Sequence, residues 1–223
     1  MTKAVKPEPV PLRPYRSTLR ADQARETRRR IRDAADALFL GHGYVGTSMD
    51  DIAKAAGVSR QTVFSAFGSK ANLLKETFDV RLAGDDEPLS LAERPETQRI
   101  LEESDPAALL RAQADFFIVT TMRVLPLWPA MVAGAATDPA CAEVLAFFDR
   151  GRLEGPGEIV DVLAQRGQLR KGLSRRKGKE AMYLLTNPNS IYDALERSWS
   201  VRELQRWLGD CMVAVLLDPA DQR

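Results

Sequence analysis

The segment 47–70 carries side chains whose types suit contacts with a nucleic acid. Arginine and glutamine each offer two hydrogen-bonding atoms to a base edge in the major groove, so we take Arg60 and Gln61 as candidates for base readout. Hydroxyl and ammonium groups suit phosphate oxygens, and Phe64 could pack on the backbone or on a thymine methyl. The candidates for phosphate contacts are Thr47, Ser48, Thr62, Ser65 and Lys70.

Two short helices joined by a tight turn would hold these side chains. Ser48 and Asp51 have the spacing of a capping box, and Gly57 supplies the left-handed residue that ends the first helix. Ser59 caps the second helix, from which Val63 points inward. The pattern predicts a helix-turn-helix whose second helix lies in a DNA major groove. A helical hairpin with a solvated face would show similar polar residues, but this set of caps and glycines is less common.

The same segment resembles the DNA-binding domain of the tetracycline-repressor (TetR) family of transcriptional regulators. The resemblance covers about residues 21–83, and the matching residues are Gly43-Tyr44, Thr47-Ser48, Ile52-Ala53, Ala56-Gly57-Val58-Ser59, Phe64, Phe67 and Ser69-Lys70. Family members usually have tyrosine where Phe64 stands and often histidine or tyrosine where Ala66 stands, and those side chains commonly bond the DNA backbone. The resemblance therefore implies that the arginines near the N-terminus or Lys70 carry more of the phosphate contacts.

The resemblance also implies the architecture of the remaining chain. In this family a larger helical domain encloses a small effector and pairs with a second copy through its last two long helices. The sequence of residues 183–217 looks like such a domain in one branch of the family. A homodimer with two-fold symmetry would place two recognition helices about one DNA turn, or a multiple, apart on a palindromic operator.

Composition narrows the classes of function. His42 is the only histidine, and Cys141 and Cys211 are far apart, so the sequence has no histidine-dependent triad, metal-ligand spacing or disulfide pattern. We therefore predict no enzymatic activity, no cofactor and no bound metal. No apolar run approaches the ~18 residues of a membrane span and no secretory signal is visible, so a cytoplasmic location is expected.

Charge is divided unevenly along the chain. Residues 1–83 carry 15 lysines and arginines against 9 acids, whereas residues 84–223 carry 17 against 22. A basic head on an acidic body favours contact between the head and a polyanion. Residues 1–20 are rich in proline and basic side chains, which predicts a disordered or extended arm. Such an arm could follow DNA or remain a solvated tail, and both alternatives stay open.

Helical spacing divides the chain into two domains. Residues 21–83 are predicted to hold the first helix, the helix-turn-helix and a linking helix over 72–83, and residues 84–223 an effector-binding and dimerisation domain. Asp105-Pro106, Asp138-Pro139 and Asn187-Pro188 predict helix starts in the body, where no alternating strand pattern occurs. The fold class expected is therefore all-α. Gly155-Pro156-Gly157 should kink or break the helix that contains it, and its effect on the pocket is left open.

Two sets of residues in the body are candidate sites. One set could line a pocket for an apolar or aromatic effector, although such residues are more often plain core. Its members are Phe117, Thr121, Trp128, Met131, Phe147, Phe148 and Tyr183. The last helix carries an apolar seam that would pack equally well on the chain's own core or on a second subunit. The candidates for the dimer interface are Leu204, Leu208, Cys211 and Val215.

These observations predict a DNA-binding transcriptional regulator. We expect a repressor that binds a palindromic operator as a homodimer and is released by a small-molecule effector. One alternative is a ligand-independent regulator that works through a protein partner. Another is a helical enzyme or ligand carrier in which the helix-turn-helix is only scaffold. Activation instead of repression also stays open.

Overall fold

Residues 15–221 are described by the computed structural model, and these residues form eleven α-helices and no β-strand. The helices are α1 (Tyr15–His42), α2 (Met49–Ala56), α3 (Arg60–Phe67), α4 (Lys70–Ala83), α5 (Pro95–Glu102), α6 (Pro106–Val124), α7 (Trp128–Ala135), α8 (Pro139–Gln165), α9 (Arg175–Leu185), α10 (Pro188–Glu196) and α11 (Val201–Leu216). Short 3₁₀ turns lie at Leu91–Glu93, Leu125–Leu127 and Pro219–Asp221. The all-α class expected from the sequence is confirmed.

Helices of the body begin where their capping residues predict. Asp105, Asp138 and Asn187 each accept a hydrogen bond from the next turn of backbone, with proline at the start of each helix. Ser200 forms a capping box with Glu203 at the start of α11. These starts agree with the sequence because a cap needs only residues within one turn of each other.

Helix α1 begins six residues before its predicted start. The expectation of a non-helical arm over residues 1–20 is wrong at its end, because the helix starts at Tyr15. The last proline of the arm is Pro14, so no residue from 15 onward in α1 lacks a backbone donor. The rest of the predicted arm, residues 1–14, lies outside the described residues.

Helix α8 continues through Gly155-Pro156-Gly157, so the expected break does not occur. Pro156 removes one backbone hydrogen bond from the helix. Beyond it, Val160 packs beside Gly178 of α9, where a Cβ would come within 2.8 Å of the Val160 side chain. Ile159 and Leu163 are also buried. Packing of this half of the helix offsets the lost hydrogen bond, since helix stability in proteins comes mainly from the buried face.

Helix α4 connects the head, α1 to α4, to the body, α5 to α11. It packs on α1 within the head and on α6 and α8 within the body. Its Phe78 ring lies 4.2 Å from the ring of Phe148, centroid to centroid. The Arg81 guanidinium binds the Asp36 carboxylate of α1 and donates to the Arg123 carbonyl of α6 at 3.0 Å. The hydrophobic core therefore runs unbroken past the predicted boundary near residue 84.

One segment of the body is more apolar than we predicted from the sequence. Pro106–Ala135 is long and apolar enough to cross a membrane, contrary to the expectation that no such run exists. A 3₁₀ turn at Leu125–Leu127 interrupts the segment, and 56% of its most apolar window is buried inside the protein. Its α6 portion packs on α11, so its composition is that of a core helix.

Candidate nucleic-acid interface and interior cavity

Helices α2 and α3 are joined by a turn that their caps define. Ser48 accepts a hydrogen bond from the Asp51 backbone, and the Asp51 carboxylate accepts from the Ser48 backbone, as the capping box predicts. The Ser48 hydroxyl and then the Ser48 backbone N–H, which both donate to the Asp51 carboxylate, lower the pKa of that group. Gly57 ends α2 with φ 64°, a conformation that favours glycine. Ser59 then caps α3, so the predicted helix-turn-helix is confirmed.

Helix α3 presents one face to solvent. Arg60, Gln61 and Ser65 are exposed there, and Thr62 and Phe64 are half-buried beside them. The structure thus places five of the predicted contact residues on one short helix. Its arginine, glutamine and hydroxyl groups have the chemistry to reach base edges and phosphates from within a major groove.

Arg60 is held only by weak contacts. Its Nη1 lies 3.3 Å from the Asp50 carboxylate, and its guanidinium is 5.3 Å from the centroid of the Phe64 ring. The side chains of this ion pair are 62% and 63% exposed, so solvent screens their attraction. Arg60 can therefore exchange Asp50 for a base at small cost.

The polar groups around Arg60 also remain accessible. The Gln61 amide lies 3.5 Å from the Ser65 hydroxyl, a long and weak hydrogen bond. Ser48 is exposed at the start of α2, although its hydroxyl already bonds to Asp51. The Thr62 hydroxyl lies 2.8 Å from that of Ser59. Hydroxyls and free backbone N–H groups at a helix N-terminus suit phosphate oxygens.

Thr47 faces the interior of the head, a position that does not fit its predicted phosphate contact. The residue is 2% exposed. Its hydroxyl donates to the carbonyl of Gly43 at 2.7 Å and also lies 3.2 Å from that of Leu38. The side chain fixes the end of α1 instead of facing solvent. This role was missed in the sequence analysis because no partner was assigned there to the Leu38 carbonyl in α1 or to the Gly43 carbonyl just after it.

Lys70 is also committed inside the head, so its predicted phosphate contact is not supported. Its ammonium donates to the carbonyls of Tyr44 and Thr47 at 2.8 and 2.9 Å. The same nitrogen lies 4.0 Å from the centroid of the Tyr44 ring, a cation–π contact. Burial lowers the pKa of Lys70. The residue fastens α4 to the loop before α2.

Several arginines of α1 likewise serve the fold. Arg28 donates to the Ala66 carbonyl, binds the Glu76 carboxylate at 2.6 Å and lies 4.3 Å from the Phe67 ring centroid. Arg30 donates to the carbonyl of Ala56 at the end of α2. The expectation that arginines near the N-terminus replace missing phosphate contacts does not apply to these two. A third arginine, Arg32, pairs with Asp86. Arg25 and Arg29 are exposed, and each pairs with an acidic residue three positions away on α1.

A cavity of about 230 Å³ lies between α4, α6 and α8. It exceeds the ~150 Å³ of an engineered apolar cavity that holds benzene. Four of the predicted pocket residues line it: Phe117, Thr121, Trp128 and Phe148. Lining residues that the prediction omitted include Phe78, Leu82, Gln113, Phe116, Thr120, Arg152 and Ile159. Gln113 could have been found from the sequence, since it precedes Phe117 by four residues on the same helix face.

Three predicted pocket residues lie elsewhere. Met131 of α7 is fully buried in the hydrophobic core and does not line the cavity. Phe147 points outward, 47% exposed, with the Lys75 ammonium 4.4 Å from its ring centroid. Tyr183 packs under the guanidinium of Arg152 at 4.4 Å. Neighbours in sequence such as Phe147 and Phe148 face different sides of one helix, and only the fold decides which side is the cavity.

The Gly155-Pro156-Gly157 stretch contributes to the cavity wall. Gly155 and Pro156 both line it. Gly155 contributes no side chain there, and Pro156 contributes only its pyrrolidine ring. This stretch therefore shapes the cavity without breaking α8.

The predicted dimer seam on α11 lies mostly inside the protein. Leu204 and Leu208 are at most 1% exposed, so they pack in the chain's own core, contrary to their prediction. Cys211 and Val215 are half-buried. Other apolar residues of α9, of α10, of α11 and of the loop between the last two are more than a third exposed, namely Leu184, Tyr192, Trp199, Val201 and Trp207. The indoles of Trp199 and Trp207 meet edge to face, with centroids 5.9 Å apart.

The described residues hold no group of three or more histidine, cysteine, aspartate or glutamate side chains placed to bind a metal. Cys141 is buried, and burial raises the pKa of its thiol to about 11. The thiol therefore stays protonated at neutral pH and is a poor nucleophile.

Comparison with known proteins agrees with the geometry of the head. Residues 31–77 match the model of a family described as bacterial regulatory proteins, tetR family. The transcriptional regulator AcrR of Shigella flexneri is 41% identical over 58 residues, which are 26% of this chain and 27% of AcrR. The chain spans about a quarter to a half of the lengths of its first curated relatives.

Solved structures match over most of the chain. NalD of Pseudomonas aeruginosa, the secondary repressor of the MexAB-OprM multidrug efflux pump, has a TM-score of 0.62 at 21% identity and covers 88% of this chain and 99% of its own. SmeT in complex with triclosan has a TM-score of 0.66 at 18% identity and covers 88% of this chain and 94% of its own. At these identities the likeness concerns the fold.

Proposed function

We propose that this chain, whose residues 31–77 match the family model of bacterial regulatory proteins, tetR family, is a transcriptional repressor. It binds a palindromic DNA operator as a homodimer and leaves it when a small molecule enters the body. The observation that carries the proposal is the exposed face of α3, where Arg60 and Gln61 have no strong partner. Polar groups that are free to change partners are what base readout requires.

The DNA contacts divide by chemistry. Arg60 and Gln61 read base edges, while Thr62, Ser65 and Ser48 contact phosphates. Phe64 packs against the backbone or a thymine methyl. The exposed Arg25 and Arg29 of α1 add attraction for the phosphates, and their exposed acidic partners reduce it.

The apolar surface of α9 to α11 is the best candidate for the dimer interface. Single exposed apolar side chains are ordinary, but two tryptophans in mutual contact beside further apolar residues resemble the core of an interface. Half-buried Cys211 and Val215 adjoin this surface on α11 and remain part of the proposed interface. Two-fold pairing here would present two copies of α3 to one face of the duplex.

Effector release follows from how α4 is held. Phe78 and Leu82 of α4 line the cavity, and Arg123 of α6 donates to the Ala83 carbonyl at the end of the same helix. A ligand that fills the cavity pushes on α4, and α4 carries the head. The effector must bind the arrangement that cannot hold DNA more tightly than the arrangement that can, because otherwise it shifts no equilibrium.

Mapping of genomic binding sites in cells that express the protein tests this function. We expect a small set of sites with inverted half-sites, upstream of genes that are expressed more strongly when this gene is deleted. Lower expression after deletion would assign activation instead of repression. Binding spread evenly over the genome, with no inverted repeat, would contradict the proposal.

A further inference from the structure

The inner surface of α6 carries a row of three cavity-lining side chains with polar ends. Gln113, Phe117 and Thr121 follow one another at intervals of four residues, and all three line the cavity. They are 7%, 8% and 4% exposed. The row therefore presents an amide, an aromatic ring and a hydroxyl, in that order, to the interior of the body.

The two polar ends of this row have no hydrogen-bond partner among the described residues. Neither the Gln113 amide nor the Thr121 hydroxyl bonds to another protein group there. The adjacent Thr120 differs, because its hydroxyl donates back to the Phe116 carbonyl at 2.9 Å. Buried amides and hydroxyls are almost always hydrogen-bonded, so two unpaired ones that line one cavity indicate a polar partner inside it.

The spacing of these groups defines the length of that partner. Eight residues of α-helix separate Gln113 from Thr121, or ~12 Å along the axis. The wall between and around them is aromatic, with Phe117 and Phe148 on it. Trp128 adds its ring surface, while its indole N–H is already used by the Asn189 side chain at 2.7 Å.

The charges around the cavity favour no anion. Among the described residues of the lining Arg152 is the one cationic side chain, and its two terminal nitrogens are already paired, whereas its Nε is buried without a hydrogen-bond partner. It binds the Asp149 carboxylate at 2.8 Å and the Thr186 carbonyl at 2.7 Å. Glu158 also reaches the lining, but it is exposed, so water screens its charge.

We propose that the cavity takes an uncharged, elongated aromatic molecule with a hydrogen-bonding group at each end, one bound by Gln113 and the other by Thr121. The inference rests on the effector-binding function proposed above and adds the chemical class of the ligand. The rings of the ligand lie against Phe117 and Phe148. Gln113 both donates and accepts, and so does Thr121, so a phenol suits either end.

Calorimetric titration of the full chain with p,p′-biphenol tests the proposal, with biphenyl as the probe that lacks both polar ends. Replacing either end group, by Gln113→Leu or Thr121→Val, should weaken biphenol binding about tenfold and change biphenyl binding less than about twofold. Thr77→Val is the matched control, because Thr77 is buried outside the cavity lining and its hydroxyl already donates to the Leu73 carbonyl within its own helix. It should leave biphenol affinity unchanged within about twofold. Thermal melting identifies any variant that fails to fold.

Four results would overturn the proposal. They are an absence of biphenol binding, equal effects of Thr77→Val and Thr121→Val, tighter binding of biphenyl-p,p′-dicarboxylate, and tighter binding of phenyltrimethylammonium. Operator binding measured in the same samples separates this inference from the proposed function. Biphenol that binds in the predicted pattern without releasing DNA would support the ligand class and contradict effector release. DNA release by one of the charged probes, with no biphenol binding, would contradict the ligand class and support effector release.

Discussion

The phenol of Tyr44 donates a hydrogen bond to the carboxylate of Asp138 at 2.5 Å, which links the head to the body. The Tyr44 ring lies so close to Gly134 that a Cβ there would come within 2.7 Å of it, and this approach requires a glycine. Asp138 also caps α8 by accepting from the Ala140 backbone at 2.9 Å. The side chain that anchors the loop before α2 is therefore bonded to the start of the longest helix of the body.

Removing this link should destabilise the protein. Tyr44→Phe keeps the buried ring and deletes the hydroxyl, so we expect the free energy of unfolding at pH 7 to fall by about 1–2 kcal/mol, as for a hydrogen bond to a charged group. Chemical denaturation measures the difference. Tyr192→Phe, at a half-exposed tyrosine of α10, is the matched control and should change little.

The same variant has a signature in its pH dependence. The hydrogen bond from Tyr44 lowers the pKa of Asp138 in the folded state. Its stabilisation is therefore complete above the unfolded carboxyl pKa of ~3.9 and is lost as the pH falls through the lower folded value. The difference between wild type and Tyr44→Phe should shrink below about pH 4. A difference that stays constant down to about pH 2.5 would contradict this pairing.

Lys70→Met should affect stability without affecting the phosphate contacts. The Lys70 ammonium donates to two carbonyls inside the head, so we expect a loss of about 2 kcal/mol in the free energy of unfolding. The slope of log affinity for DNA against log salt concentration should stay the same. A slope reduced by about one would return Lys70 to the phosphate contacts.

The contrast between Ser48 and Lys70 explains what the sequence could predict. Caps such as Ser48 with Asp51 depend on residues within one turn, so their spacing sufficed to predict the helix-turn-helix. Thr47 and Lys70 are polar residues in the same motif, but both bond to backbone carbonyls that precede α2, and spacing could not reveal those bonds. Thr47 is buried and Lys70 is half-buried. In the body, the sequence predicted which helix a residue belongs to more reliably than it predicted what the side chain contacts. Leu204 and Phe147 were placed on the correct helices but assigned to the wrong surroundings.

Trp207→Glu should disrupt the proposed dimer. Trp207 is 40% exposed and contacts Trp199, so a carboxylate there would be buried without a partner in an interface formed by this surface. Sedimentation at micromolar concentration should give a dimer for the wild type and a monomer for the variant. Val132→Glu places the same charge at a similarly exposed site on α7 and should remain dimeric. A monomeric wild type would contradict the interface altogether.

Arg60→Ala should change specificity more than general affinity. Loss of one base contact is expected to cost ~1–3 kcal/mol per contact on the operator and to relax the preference at one position of each half-site. Arg202→Ala on the exposed face of α11 removes the same charge far from α3 and should leave specificity intact. Equal losses on operator and on random DNA would reassign Arg60 to a phosphate.

The most direct measurement of the central claim is equilibrium binding of the purified protein to its selected DNA site, to the same duplex with one half-site scrambled, and to the fully scrambled duplex. If two copies of α3 read one operator, two subunits should bind the intact site, and scrambling one half-site should cost nearly as much affinity as scrambling both. Indistinguishable affinities for all three duplexes, or one subunit bound per intact site, would contradict the account.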